Sequence, residues 1–453
     1  MVKNYLIKDV IIVNEYAQFP ASVYIENGFI KHILPQDSPL EDYETQAEVI
    51  QGHRRFLLPG IIDDQVHFRE PGLTHKGDIQ TESKAAVAGG ITSYMEMPNT
   101  QPPAITNQLL EEKFRRADGR SWANYSFYLG ATNDNIEAIR DQDIKNSCGL
   151  KVFMGSSTGN MLVDDPQSLE RIFRQTKTLL AAHCEDQATI NANLHKAIEQ
   201  YGKEIPFRMH PHIRSEEACY LSSSKAIALA EKYGTRLHVL HLSTAKELKL
   251  LSHHQQAGGK NITAEVCVHH LWFNNTDYAD KGSLIKWNPA IKTEPDRIAL
   301  LQAVLDDRID IIATDHAPHT LAEKQNSYLN APSGGPLVQH ALQMMLELYQ
   351  RGLISLEKIV SKMAHNPAKI FNIERRGYIK EGYWADLVLI DLNKTTEVTK
   401  DSLHYKCGWS PLEGHTFKSA ITHTFVNGKP VVRDGKIAGE PAGMRLKFRS
   451  PTL

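Results

Sequence analysis

The sequence predicts an α/β protein: a (β/α)8, TIM-like barrel carrying a smaller β-sandwich domain built from both chain ends. Three observations lead there. Eight apolar runs of strand length lie in the middle of the chain, and segments of helical pattern separate them, as parallel βα units require. The two ends instead read as short strands joined by turn signals.

In chain order, residues 1–58 hold YLIKDVIIV, ASVYIENGFIKHI with an Asn27-Gly28 hairpin signal, and the start of AEVIQGHRRFLLPG. The eight central runs follow: GIIDDQVHF, GITSYMEM, YSFYLGAT, GLKVFMG, TLLAAHCE, RLHVLHLS, ITAEVCVHHL and IDIIATDH. Between them lie helix-like stretches such as TESKAAVAGG, closing on a glycine pair, and SEEACYLSSSKAIALAEKYG, closing on Gly234. From about residue 371 the strand-and-turn pattern returns, with Asn427-Gly428 and Asp434-Gly435 as further hairpin signals. The expected division is therefore a composite β domain of residues 1–58 plus 371–453 around a catalytic barrel of residues 59–370. The polar, turn-rich segment 323–336 follows the last strand and is a candidate lid or substrate loop.

A chain of 453 residues has room for this arrangement. Its 51 Lys and Arg against 53 Asp and Glu give a net charge of −2, so it has no broad attraction for nucleic acid or anionic membrane. With 41% hydrophobic and 23% charged residues it reads as an ordinary globular protein. No run of 18 apolar residues predicts a membrane span, and the N-terminal apolar patch, broken by Lys8 and Asp9, is too short for a signal peptide. A cytoplasmic location is expected. The five cysteines form no CxxC pair and are odd in number, so neither a disulfide framework nor a thiolate zinc site is expected.

In nearly every central run the chain turns polar at its C-terminal end, where such barrels build their active sites. Run 1 ends in Asp63, Asp64, Gln65, His67 and Arg69, and run 2 is followed by Asn99. Run 4 carries Lys151; run 5 ends in His183 and Glu185, run 6 in His241, run 7 in His269 and His270, and run 8 in Asp315, His316 and His319. One such histidine alone would be a rim or core residue; five strands converging on one face argue for a site. Imidazole and carboxylate without thiolate suit a borderline divalent ion such as zinc. Lys151, among Leu150, Val152, Phe153 and Met154, would be costly as a cation and must be paired, neutral or modified.

PGIIDDQVHFREPG, residues 59–72, resembles the PGxIDxHxHxREPG signature of class I dihydroorotases in the amidohydrolase superfamily. AAVAGGITSYMEMPNT, LHVLHLST, KWNPAIKTEPDR, ATDHAPHT, APSGG and GYIKEGYWADLVLID resemble further segments of that family in the same order, across essentially the whole chain. The resemblance implies that His67 and Asp315 bind one zinc, that His183 and His241 bind another, and that a carbamate on Lys151 bridges them. It makes Asp315 the proton shuttle, and Arg69, Asn99, Asn288 and His319 the substrate contacts. The implied reaction is the reversible hydrolysis of dihydroorotate to carbamoyl aspartate, in pyrimidine biosynthesis.

Plainer readings stand beside these roles. Asn99 and Asn288 sit next to prolines and would serve as turn formers, and Arg69 would pair with Glu70 or Asp64. His269 and His270 are undecided, while His53, His75, His195 and His365 read as surface or structural. The departure from the signature is Gln65, where the first His of the HxH pair is expected. As a weak or absent ligand it would leave one or two zincs bound, unequally held. Two other functions therefore remain open: an impaired homologue serving as a scaffold for aspartate transcarbamoylase, and a hydantoinase- or allantoinase-type amidohydrolase. The partners expected are the small substrate, a second copy in a homodimer, and in the scaffold reading the transcarbamoylase.

Overall fold

The computed structural model describes residues 3–143, 145–155, 161–251 and 260–449. Both chain ends contribute to one sheet. The N-terminal strands are β1 (Tyr5–Asn14), β2 (Ala17–Glu26), β3 (Phe29–Pro35), β4 (Glu48–Gln51) and β5 (Phe56–Pro59). The central strands are β6 (Ile61–Val66), β7 (Ile91–Glu96), β8 (Asn124–Phe127), β9 (Leu129–Gly130), β10 (Leu150–Phe153), β11 (Leu180–His183), β12 (Leu237–Val239), β13 (Ile262–Cys267) and β14 (Ile311–Ala313). The C-terminal strands are β15 (Leu387–Asp391), β16 (Thr396–Glu397), β17 (Thr416–Phe417), β18 (Ala420–Val426), β19 (Lys429–Arg433) and β20 (Lys436–Ile437).

The terminal strands form a nine-stranded sheet of order β20-β19-β18-β15-β5-β1-β2-β3, with β4 paired to β1. The two chain ends are thus joined in one hydrogen-bonded sheet. The reason is β5, which pairs parallel to β1 and antiparallel to β15, joining the two ends edge to edge. The three hairpin signals are realised with both central residues at positive φ, the type I′ geometry that matches strand twist. The Asn27-Gly28 and Asn427-Gly428 tips also touch: a Cβ on Gly428 would come within 2.6 Å of the Gly28 Cα, so only glycine allows the contact. The β1–β2 turn has the same geometry at Glu15 (φ 47°) and Tyr16 (φ 64°), residues that carry no turn signal.

Each of the eight central runs forms a strand, all parallel, in the orders β6-β7-β8 and β9-β10-β11-β12-β13-β14. Only Tyr128 separates β8 from β9, and Val66 pairs in parallel with His316 just beyond β14. Alternate residues sort to two cores. Ile61, Tyr94, Leu180 and Ala182 join one apolar cluster, and Ile62, Met95 and Ala181 the other, as in parallel strands buried on both faces. Run 7 is shorter than its apolar pattern: the chain leaves β13 at Cys267, and Val268–Trp272 is a helical turn carrying His269 and His270. The helices close as the sequence signals. Asp78 and Thr81 form a capping box on helix Ile79–Ala88, and helix Glu216–Tyr233 starts on a Ser215 cap and ends at left-handed Gly234. Among the described residues, no helix is long and apolar enough to cross a membrane.

Asp386, just before β15, joins the terminal sheet to the parallel strands. Its carboxylate pairs with buried Arg376 and accepts from Asn124 Nδ2 (3.1 Å), at the start of β8, and from the Asn427 amide (2.7 Å). Asp386→Ala would leave the Arg376 guanidinium buried without its partner. A stability loss of ~3–5 kcal/mol is expected, read as a lower urea midpoint at unchanged m-value. An unchanged midpoint would contradict this account.

Candidate active site

The ends of the parallel strands surround a cleft of about 170 Å³. Gln65, His67, Arg69, Asn99, Lys151, His183, His241, Asn288, Asp315 and His319 all line it, so every residue expected from the sequence is brought to one place.

The first half of the cleft is set by Asp63. Its Oδ1 accepts from the Gln65 and Thr314 amides (3.2 Å each) and its Oδ2 from the Thr314 hydroxyl (2.6 Å), clipping the end of β6 to the residue after β14. His67 Nε2 consequently lies 3.2 Å from Asp315 Oδ1. On its other side, His67 Nδ1 is 2.8 Å from Asn99 Oδ1. Because an amide oxygen only accepts, Nδ1 carries the ring proton of the neutral imidazole and Nε2 turns its lone pair toward Asp315. Two electron-rich atoms 3.2 Å apart suit a shared cation, since ligands of a tetrahedral ion at ~2.1 Å sit ~3.4 Å apart. Gln65 does not join them as an oxygen donor: its Nε2 donates to Asp315 Oδ1 (3.3 Å), and its Oε1 faces Cys267 Sγ (3.7 Å).

The second half repeats the logic. His183 Nε2 lies 2.9 Å from Glu185 Oε2, and Arg214 Nη1 donates to the same oxygen (2.5 Å). Burial alone would raise the Glu185 pKa, but Arg214 and His183 overrule it and hold it at about 2. The anion fixes the proton on His183 Nε2 and leaves the Nδ1 lone pair facing His241 Nε2 at 2.9 Å, the arrangement of a metal-ligating histidine backed by a carboxylate. Burial lowers the pKa of His67 and His183 and carries that of His241 well below the ordinary value, so all three are neutral, as ligands must be. Beside them, the Lys151 ammonium has no hydrogen bond or ion pair among the described residues, only the Phe153 ring with its centroid 4.5 Å away. Burial lowers its pKa to about 7. The donor set fits a divalent metal ion.

Among the described residues Arg69 makes no salt bridge; Glu70 is taken by Arg120 (2.7 Å). Arg69 Nε donates to the Pro318 carbonyl (3.0 Å), and burial lowers its pKa only to about 10, so a cation faces the cleft without a carboxylate. Lys76 Nζ lies 3.0 Å from His319 Nδ1, while His319 Nε2 lies 3.0 Å from both Arg69 Nη2 and the Ser333 carbonyl. Segment 323–336 supplies Pro332, Ser333 and Gly334 to the wall, and Lys324 Nζ donates to the Pro332 (2.9 Å) and Gly334 (2.8 Å) carbonyls. Trp287 and Phe153 also line the cleft; the sequence marked Phe153 only as an apolar neighbour of Lys151 and did not single out Trp287. His316 is structural, bound to Glu82 (2.8 Å), as is His365, bound to the Gly377 carbonyl (2.6 Å). His53, His75 and His195 are exposed.

Residues 56–431 match the profile of the Amidohydrolase family. A dihydroorotase of Halobacterium salinarum is 35% identical over 361 residues, 79% of this chain and 82% of that protein. One of Pyrococcus furiosus is 34% identical over 426 residues, 93% and 91% of the two chains. Among solved structures, an L-hydantoinase (dihydropyrimidinase) of Arthrobacter aurescens superposes with a TM-score of 0.92 at 25% identity, covering 99% of this chain and all of that one.

The contact between His67 and Asn99 separates two roles for the asparagine. If it orients the ring, Asn99→Ala should weaken metal retention ~10- to 100-fold, read by dialysis against a chelator. A change in KM with metal retention intact would return Asn99 to a substrate role alone.

Proposed function

The chain belongs to the amidohydrolase family and groups with its dihydroorotases, and from that premise we propose that the cleft opens and closes the cyclic amide of dihydroorotate, giving carbamoyl aspartate in pyrimidine biosynthesis. The observation that carries this reading is an Arg69 guanidinium that makes no ion pair among the described residues, in the same cleft as two oriented, neutral histidine sites and the Asp315 carboxylate. A ring bearing a carboxylate matches that cation, whose fork donates two parallel hydrogen bonds. The framework we propose is a (β/α)8 barrel of residues 59–370 with a domain of residues 1–58 and 371–453; the Val66–His316 bridge and the near-continuity of β8 with β9 support eight strands in a closed ring.

In this reading His67 and Asp315 hold one zinc, and His183, His241 and Lys151 the other. The bound ion would supply ionisation of water near neutral pH and polarisation of the amide carbonyl. Asp315 takes the proton of the attacking water and returns it to the ring nitrogen as the C–N bond breaks, one group acting as base and then as acid. Arg69 holds the carboxylate, and Asn288 and His319 border the ring. Gln65 offers Asp315 a donor rather than an ion a ligand, which supports weaker binding on the His67 side. Lys151, neutral above pH about 7, attacks carbon dioxide through Nζ, forms an N–C bond and loses a proton, becoming a carbamate anion.

Loss of dihydroorotate ultraviolet absorbance, with metal analysis of the same sample, tests the function. No turnover in metal-loaded protein would leave the scaffold reading, and preference for an uncharged hydantoin ring the hydantoinase one.

Two further outcomes are expected. Arg69→Ala should forfeit ~2–5 kcal/mol of transition-state binding with metal content intact, and an unchanged kcat/KM would refute its role. After acid removal of the carbamate, recovery at a fixed concentration of dissolved carbon dioxide should quicken as pH rises through about 7, where the Lys151 amine becomes neutral, and then level off. Recovery that does not change across this range would exclude the carbamate.

A further inference from the structure

Behind the cleft wall lies a second group of donors. Cys267 ends β13, and the helical turn Val268–Trp272 brings the side chains two and three residues along back beside it. The Cys267 Sγ, a ring nitrogen of His269 and a ring nitrogen of His270 all lie within 4.8 Å of one another, and all three residues are buried. None of them is among the residues lining the cleft.

The hydrogen bonding of this group is incomplete in an informative way. His270 Nε2 reaches the Pro289 carbonyl (3.2 Å), which fixes its proton there, while its buried Nδ1 has no hydrogen-bond partner among the described residues. Neither ring nitrogen of His269 makes a well-formed hydrogen bond, although the Thr314 backbone lies close by. A neutral imidazole anchored through one nitrogen and bare at the other is a ligand waiting for a cation. Sγ has only long contacts, to Gln65 Oε1 (3.7 Å) and Glu265 Oε1 (3.9 Å).

We infer that Cys267, His269 and His270 form a metal site of their own, for zinc or a similarly thiophilic divalent ion, separate from the ions of the cleft. One thiolate and two imidazoles are a borderline-soft donor set. On binding, the Cys267 S–H bond breaks, the proton leaves to solvent, and a sulfur–metal bond forms; nothing is oxidised or reduced. His269 stacks on Trp287 at 4.5 Å and 16°, so the ion would pin the wall of the cleft that Trp287 provides. The inference needs neither the reaction nor the substrate proposed above. CxxC spacing does not reveal such a site, because only one cysteine takes part.

The test is the protein expressed in cobalt-supplemented medium. Thiolate-to-cobalt charge transfer in the near ultraviolet is expected in the unmodified chain, and again in Lys151→Ala, where the cleft's bridging ligand is gone. It should vanish in Cys267→Ser and in His269→Gln, each with one metal ion fewer per chain. Cobalt-loaded protein without the band would overturn the proposal even if the variants failed to fold. A band surviving His269→Gln, or lost in Lys151→Ala, would overturn it too, by assigning Cys267 to the ions of the cleft.

Discussion

Asp63 holds together the two strand ends on which the cleft depends. His67 follows the first parallel strand and Asp315 the last, and their approach to 3.2 Å rests on a carboxylate that neither touches the cleft nor offers it an atom. Burial pushes the Asp63 pKa up to about 7, against three donors that favour its ionised form, so the clip is bought with desolvation. The terminal sheet reinforces the same point. Only Gly60 separates β5 from β6, and a Cβ there would fall 2.1 Å from the Thr92 hydroxyl, so the first parallel strand enters its place directly from the composite sheet.

Around this frame the cleft is a region where burial, more than pairing, sets the charge state. It strips the proton from His67, His183 and His241, moves Lys151 to the edge of neutrality, and leaves Arg69 charged. A lone guanidinium in such surroundings is costly, which makes an incoming carboxylate its natural partner. The backbone bears part of the load as well. Arg69, His241 and Asp315 all have left-handed φ, at 71°, 38° and 46°, a conformation that non-glycine residues hold only where the surroundings enforce it.

Much of this was legible in the sequence, for identifiable reasons. Strands buried on both faces are continuous apolar runs, and a polar residue at the end of such a run stands out, so the ten cleft residues could be named before their contacts were known. What escaped lies in the pairing of distant segments. That the chain ends join through β5 was not legible, because strand patterns do not tell which edges meet, and β5 had no signal that it would bond to β15. Asp63 reaches Thr314, Glu185 reaches Arg214 and Lys76 reaches His319, partners far along the chain. The Glu15-Tyr16 turn was hidden because its residues do not favour positive φ, and Cys267 because neighbouring histidines extended the apparent strand.

Gln65 exemplifies a substitution whose consequence depends on orientation. Histidine at this place would present a lone pair to an ion; the amide as placed presents N–H to Asp315. The carboxylate's contacts with Gln65 and His67 both fall on Oδ1, so in the proposed reaction Oδ2 would be the oxygen to receive and return a proton. A group that must act first as base and then as acid gains from being held in one rotamer, because each departure from alignment lengthens the proton's path. The exchange of His for Gln therefore shifts the burden within the site. In the reading proposed for the cleft, the His67 side would give up affinity for an ion and gain a better-fixed base, and metal retention would fall to the side built on His183, His241 and Lys151.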